Sequence, residues 1–186
     1  MRKSLFVLTI ITILYLAGCI PFSVNPIYSE NDIIYKPDLI GTWSEKDSDE
    51  KYIFTDINGR YYSLVIKNEG VIEGIFIAQL VKLGQTMFLD LTPKFGTPYG
   101  DGFYNDHFVI LHSFFRVHQI DSTLTISMLN YGWLEKYLEQ NPDEISFDKI
   151  NGQIMLTAPT KDIQSFLLKH LDTKDAYDEP GSLQRE

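Results

Sequence analysis

Apolar and polar positions alternate with period two along most of the chain between Tyr52 and Ala158. That spacing belongs to half-buried β-strands. Residues 61–67 place Tyr62, Leu64 and Ile66 on one face. Residues 87–92 set Met87, Leu89 and Leu91 against Phe88, Asp90 and Thr92, and residues 124–129 set Leu124, Ile126 and Met128 against Thr125 and Ser127. Residues 41–45, 52–55, 108–119 and 153–158 read as further strands, and 71–83 as a long one, apolar on both faces for part of its length. Turn-forming Asn58-Gly59, Asn68-Glu69-Gly70, Gly84-Gln85 and Asp121-Ser122 separate the runs. Eight strands in near-consecutive order predict a mainly β fold, an antiparallel up-and-down barrel.

Two stretches change period. Trp133, Leu134, Tyr137 and Leu138 share one side at helical spacing and predict an inserted helix over 133–140, before the last strand. Ile163, Phe166, Leu167 and Leu171 predict a C-terminal helix over 161–171, with Thr160 as its cap. Residues 20–36, with Pro21 and Pro26, read as a tether or an arm lying on the domain. Residues 172–186 are polar and acidic around Pro180-Gly181 and are expected to be a disordered tail.

The N-terminus follows another logic. Arg2 and Lys3 precede a mostly apolar run over 5–17. A helix of that length covers about 20 Å, against about 30 Å of bilayer hydrocarbon, so the run predicts a signal peptide over 1–18 and not a membrane span. It ends in Leu16-Ala17-Gly18-Cys19, which resembles the lipobox of bacterial lipoproteins. The resemblance implies cleavage after Gly18, lipidation of the Cys19 thiol and acylation, such as by palmitate, of the new amine. Cys19 is the single cysteine of the chain. Ile20 stands where an Asp tends to hold such proteins at the inner membrane. The expected location is therefore the cell membrane, lipid-anchored, and the outer membrane facing the periplasm in a cell with two.

A second resemblance lies in the folded part, taken as 37–171. Gly41-Thr42-Trp43 looks like the Gly-x-Trp motif that opens the first strand of lipocalins, and Pro37-Asp38-Leu39-Ile40 supplies the helical turn before it. The resemblance implies a lipocalin-like barrel. The chain departs from the pattern twice. Lipocalins carry an Arg near the end of the last strand that packs on the Trp, and residues 153–158 have none. The helix before that strand is also foreign to the family. On its own residues Trp43 reads first as a core aromatic that plugs one barrel end.

The formal charge of −9 excludes a non-specific nucleic-acid binder, and removal of Arg2 and Lys3 with the signal peptide makes the chain two units more negative. No nucleophile elbow, P-loop, zinc-protease motif or dinucleotide fingerprint is present. His112 and His118 share a strand face about 20 Å apart, beyond the reach of one metal ion. His107 points to the opposite face from His112, so a joint site would need pairing across strands. The acidic Asp47, Asp49 and Glu50 read as a solvated turn, and Asp101, Asn105 and Asp106 could offer oxygen ligands to calcium. The expectation is no catalysis, no metal and no cofactor.

Candidate contacts come from two places. His112, Arg116 and His118 share a face with Phe108, Ile110 and Phe114, opposite Val109, Leu111, Ser113, Phe115 and Val117. The apolar face is the natural interior and leaves Arg116 outside, whereas the reverse would put Arg116 inside as counter-charge to an anionic ligand. The loop over 93–106 carries Phe95, Tyr99, Phe103 and Tyr104 among three glycines. It either closes the barrel end or forms a rim that meets a ligand or partner. The inward candidates mix bulky Phe76, Phe88 and Phe115 with small Ala78 and Ser113, so the sequence does not decide between an open and a filled interior. The functional expectation is a membrane-anchored binding protein, for a small apolar ligand in the barrel or for a protein partner in an envelope assembly.

Overall fold

An alternating strand buries one face only if a neighbour takes up its backbone N–H and C=O groups. In this chain the strands solve that by closing on one another. The computed structural model describes residues 20–94 and 109–186. An N-terminal arm holds the short β1 (Phe22–Ser23) and β2 (Ile33–Ile34), followed by a 3₁₀ turn at Pro37–Leu39. Then come β3 (Gly41–Ser44), β4 (Lys51–Ile57), β5 (Tyr61–Asn68), β6 (Val71–Leu83), β7 (Thr86–Pro93), β8 (Ser113–Ile120) and β9 (Thr123–Met128). The chain continues through α1 (Tyr131–Gln140), β10 (Phe147–Ile150), β11 (Gln153–Leu156) and α2 (Thr160–Lys169) to β12 (Gly181–Arg185).

Strands β3 to β9 pair consecutively and antiparallel, and β12 pairs with both β9 and β3. The result is an eight-stranded antiparallel closed barrel. The turn chemistry holds where it was legible. Asn58 and Gly59 both take positive φ, the backbone of the tight hairpin between β4 and β5.

The closing strand corrects the sequence reading. Residues 153–158 do not supply the eighth stave: β11 lies in a separate three-stranded sheet, parallel to β1 and antiparallel to β10. The eighth stave is β12, inside the stretch expected to be a disordered acidic tail. Only Leu183 is apolar among its five residues. What recruits the segment is the pair of open edges on β3 and β9, and hydropathy does not register those. Both helices therefore precede the last strand. Residues 20–36 form the arm alternative and not a free tether: Ser23 exchanges backbone hydrogen bonds with His112, and Ile33–Ile34 pair with β6.

Two cores result. The barrel interior holds Leu39, Trp43, Phe54, Tyr62, Leu64, Ala78, Leu80, Leu89, Leu91, Val117, Leu124 and Leu183, each less than one-tenth exposed. The second core lies on the outer face of β6–β8, where Val81, Phe88 and Phe114 meet the arm, both helices and β11. Phe88 thus belongs outside the barrel and not among its inward residues. Asn130 caps α1 by accepting the Trp133 N–H at 2.7 Å. At α2, Pro159 occupies the cap position and Thr160 is the first helical residue, so the expected side-chain cap is absent.

The helices meet through aromatic rings. Phe166 and His170 of the α2 end lie 4.7 Å apart between centroids, and each also packs on Trp133 and Tyr137 of α1. Phe166→Ala should cost about 3–5 kcal/mol in urea unfolding, the usual loss for a buried aromatic. An unchanged midpoint would remove α2 from the core. Burial holds the His170 ring below the usual histidine range, with Lys169 adding to it. The unfolded chain then binds that proton at higher pH than the folded one. Stability present at pH 7 is lost as pH falls below about 6.5. Thermal midpoints at pH 7 and pH 5 should differ less in His170→Asn than in the wild type.

Candidate functional site

Short strands leave the two barrel ends open, so each end must be filled or used. One end is closed by local chemistry. Pro37 starts the 3₁₀ turn at its first position and carries Leu39 under the barrel. The Trp43 indole N–H donates to Leu39 O at 2.9 Å. Arg185, the last residue of β12, lays its guanidinium 4.3 Å from the Trp43 ring centroid and donates to Ile40 O at 2.6 Å and to Asp38 O. Gly41 makes this possible: its φ is +144°, and a Cβ there would stand 2.6 Å from Arg185 Nη1. The arginine missing from residues 153–158 is therefore present, on the strand that the sequence reading did not assign. Tyr62 completes the floor. Its hydroxyl accepts the Lys36 N–H at 2.7 Å and donates to Lys36 O, and Tyr35 stacks on its ring.

The interior above this floor is filled by the chain's own side chains. At the other end, where β7 and β8 leave for the long loop, Tyr52, Ile66, Phe76 and Phe115 are half-buried and pack down on that filling. Gly74 shapes this rim. The Phe76 ring folds back over it, and a Cβ would stand 2.7 Å from Phe76 Cε2. The Tyr52 hydroxyl donates to Glu50 Oε2 at 2.7 Å, and burial, reinforced by that carboxylate, raises its pKa.

Arg116 lies outside the barrel, as the apolar-face argument expected. Its Nη1 donates to Leu171 O at 2.9 Å and its guanidinium sits over Tyr177. It lines an open cleft of about 260 Å³ with His118, Ser127, Asp178 and neighbouring residues. His118 Nε2 lies 2.8 Å from Ser127 Oγ across β8–β9. A nucleophile and its base would share that spacing. Here the pair sits at the β8 bulge and satisfies a buried hydroxyl. Burial, then Arg116, lowers the His118 pKa.

One polar group lies deeper. Asp90 projects from the outer face of β7 and is 0% exposed. Its Oδ1 is 2.7 Å from His112 Nδ1, and its Oδ2 accepts the Ile27 N–H of the arm at 3.1 Å. Tyr28 lies beside the His112 ring, and burial, with Asp90 adding, pushes its pKa up to about 12. Sequence spacing showed Asp90 and His112 only on separate strands. The β7–β8 register brings Asp90 opposite Phe114, two residues from His112. The signal that could have found the pair is one polar residue on an otherwise apolar run of β7.

Cys19 and the loop aromatics Phe95, Tyr99, Phe103 and Tyr104 lie outside the described residues. Among the described residues no three His, Cys, Asp or Glu side chains come together as a metal cluster. No protein-family model matches the chain, and neither curated proteins nor solved structures show significant similarity to it.

The floor is testable. Arg185→Ala removes the stacking and two carbonyl contacts and should cost about 1–2 kcal/mol. Arg185→Lys should recover little of it, because an ammonium cannot stack and fork at once. Equal stability of wild type and both variants in chemical denaturation would detach Arg185 from barrel closure.

Proposed function

We propose that the chain is a lipid-anchored protein of the cell envelope with a non-catalytic binding role, and that its barrel is a scaffold whose outer surface and loop-bearing end meet a protein partner. One observation carries the choice of partner over cargo. The barrel interior is a contiguous cluster of buried side chains from Leu39 and Trp43 to Leu91 and Leu183. A barrel of about eight strands has room for side chains or for one small ligand, not for both throughout. The anchor reading rests on the ordered sequence of Arg2-Lys3, the apolar run over 5–17 and the Leu16-Ala17-Gly18-Cys19 box. Two acyl chains suffice for stable anchoring, at about 0.8 kcal/mol per buried methylene.

A second reading keeps a small apolar ligand. The half-buried Tyr52, Ile66, Phe76 and Phe115 offer it a shallow apolar seat at the rim. An apolar fluorescent probe separates the two. The partner reading expects no saturable binding to the wild type. Saturable binding that weakens in Phe76→Ser without loss of thermal stability would install the ligand reading. For the anchor, Cys19→Ser should abolish the acyl mass on the mature N-terminus, and identical masses in mutant and wild type would end the lipoprotein reading.

A further inference from the structure

A cation and carboxylates that share a cleft usually close on one another. In the cleft beside Arg116 they do not. Its floor is β8 and β9, where Arg116 stands opposite Ser127 in register. The chain just after α2 forms one wall through Asp172, and residues 177–180 form the other through Asp178 and Glu179. Arg116 donates to Leu171 O at 2.9 Å, and among the described residues the rest of its fork has no partner. The ion pairs among the described residues all lie elsewhere. Asp178 accepts from Asn130 through one oxygen. Asp172 and Glu179 are exposed and make no side-chain hydrogen bond among the described residues.

The chain's own contacts hold the walls where they are. The Asn130 N–H donates to Ala176 O and the Asp178 N–H to Met128 O, each at 2.9 Å, which lays 176–178 along the end of β9. The Tyr177 hydroxyl donates to Leu167 O of α2 at 3.3 Å, and the Arg116 guanidinium lies over its ring. Opposite charges therefore stay apart because backbone contacts set the width of the cleft. A gap organised in advance lowers the cost of filling it. Its volume is about 260 Å³, small beside the roughly 300–1,000 Å³ of sites for drug-sized ligands.

We infer that this cleft takes a small zwitterion, a molecule that carries both a carboxylate and an ammonium group, as an amino acid or a short peptide does. The carboxylate meets the free side of the Arg116 fork, and the ammonium meets Asp172 and Glu179. The balance of charge selects against simpler ions. Burial and Arg116 hold the His118 pKa below the usual histidine range, so that ring is neutral at pH 7. One cation then faces three carboxylates, and an anion alone meets net repulsion. A cation alone is repelled by Arg116 and leaves it unpaired. Leu171, Tyr177 and Pro180 offer apolar surface to a small side chain. The site needs neither the lipid anchor nor the protein partner proposed above.

The test titrates the purified full chain at pH 7 with L-alanine, L-alanyl-L-alanine, propionate and L-alaninamide, and reads saturation from the ligand methyl signals by NMR. At least one of the two zwitterions should bind about tenfold or more tighter than propionate and alaninamide, which each lack one charge. Alanine ahead of the dipeptide assigns the site to a free amino acid, and the reverse assigns it to a peptide. Arg116→Gln should weaken binding about tenfold or more. That change also removes the contacts to Leu171 and Tyr177, so a second variant is needed that spares the fold. Asp172→Asn combined with Glu179→Gln removes no hydrogen bond seen among the described residues, and should weaken zwitterion binding about tenfold with the thermal midpoint unmoved. Three results would each overturn the proposal: no saturable binding of either zwitterion, propionate or alaninamide binding as tightly as the zwitterions, or unchanged affinity in the double variant.

Discussion

A sheet is finished only when its last edge meets its first, and in this barrel that closure depends on five residues at the end of the chain. β12 borders β9 on one side and β3 on the other, so its backbone serves two ladders at once. Arg185 then fastens the seam. It stacks on Trp43 and reaches the carbonyls of the 3₁₀ turn, in a space that Gly41 leaves by having no side chain. Glu186 continues past it with a backbone bond to Thr42 and side-chain contacts to Ser44 and Lys51. The first and last folded segments are thereby one structural unit, and the 3₁₀ turn, the tryptophan and the arginine are its three parts.

This explains which features were legible beforehand. Six strands announced themselves because each presents two or more apolar residues to the interior, such as Tyr62, Leu64 and Ile66 on β5 or Met87, Leu89 and Leu91 on β7, and β3 did so through Gly41-Thr42-Trp43. β12 presents Leu183 alone, and its other contributions are backbone hydrogen bonds and one cation. Those depend on strands more than fifty residues away. Residues 153–158 misled for the converse reason. Ile154 and Leu156 are an apolar pair with strand period and are indeed buried, but against the outer face of the barrel. Periodicity reports that a face is buried and is silent about which of two cores receives it. The Arg116 face could be read correctly because its alternative would have placed a cation in the barrel interior and turned Phe115 and Val117 outward.

The two cores also divide the molecule's tasks. The inner one is filled from the floor upward, so the barrel is rigid and offers little volume beneath its rim. The outer one gives β6–β8 a second layer, which is why β6 is buried on both faces over Ala78–Val81, Gln79 included, and why Asp90 is buried although it points away from the barrel. Surface left for recognition is accordingly the rim, the Arg116 cleft and the uncovered strands β3–β5. Among the described residues, the rim carries exposed aliphatics from two separate segments, Val71–Ile72 and Val109–Ile110.

The arm links these levels. A buried carboxylate must be matched by hydrogen bonds, and Asp90 finds them in His112 and in the Ile27 N–H. One partner belongs to the barrel strand's leading residue and the other to the arm, so Asp90 is satisfied only when arm and barrel are docked. Undocking the arm would leave that carboxylate short of a donor and would break the Ser23–His112 pairing with it. The segment that follows Cys19 is therefore held by the same contacts that complete the second core. A pull on the chain at that point is transmitted to β7 and β8, not absorbed by a flexible linker. In the proposed lipoprotein, anchor and fold would be mechanically continuous, and the orientation of the barrel relative to the anchor would be a property of the native state.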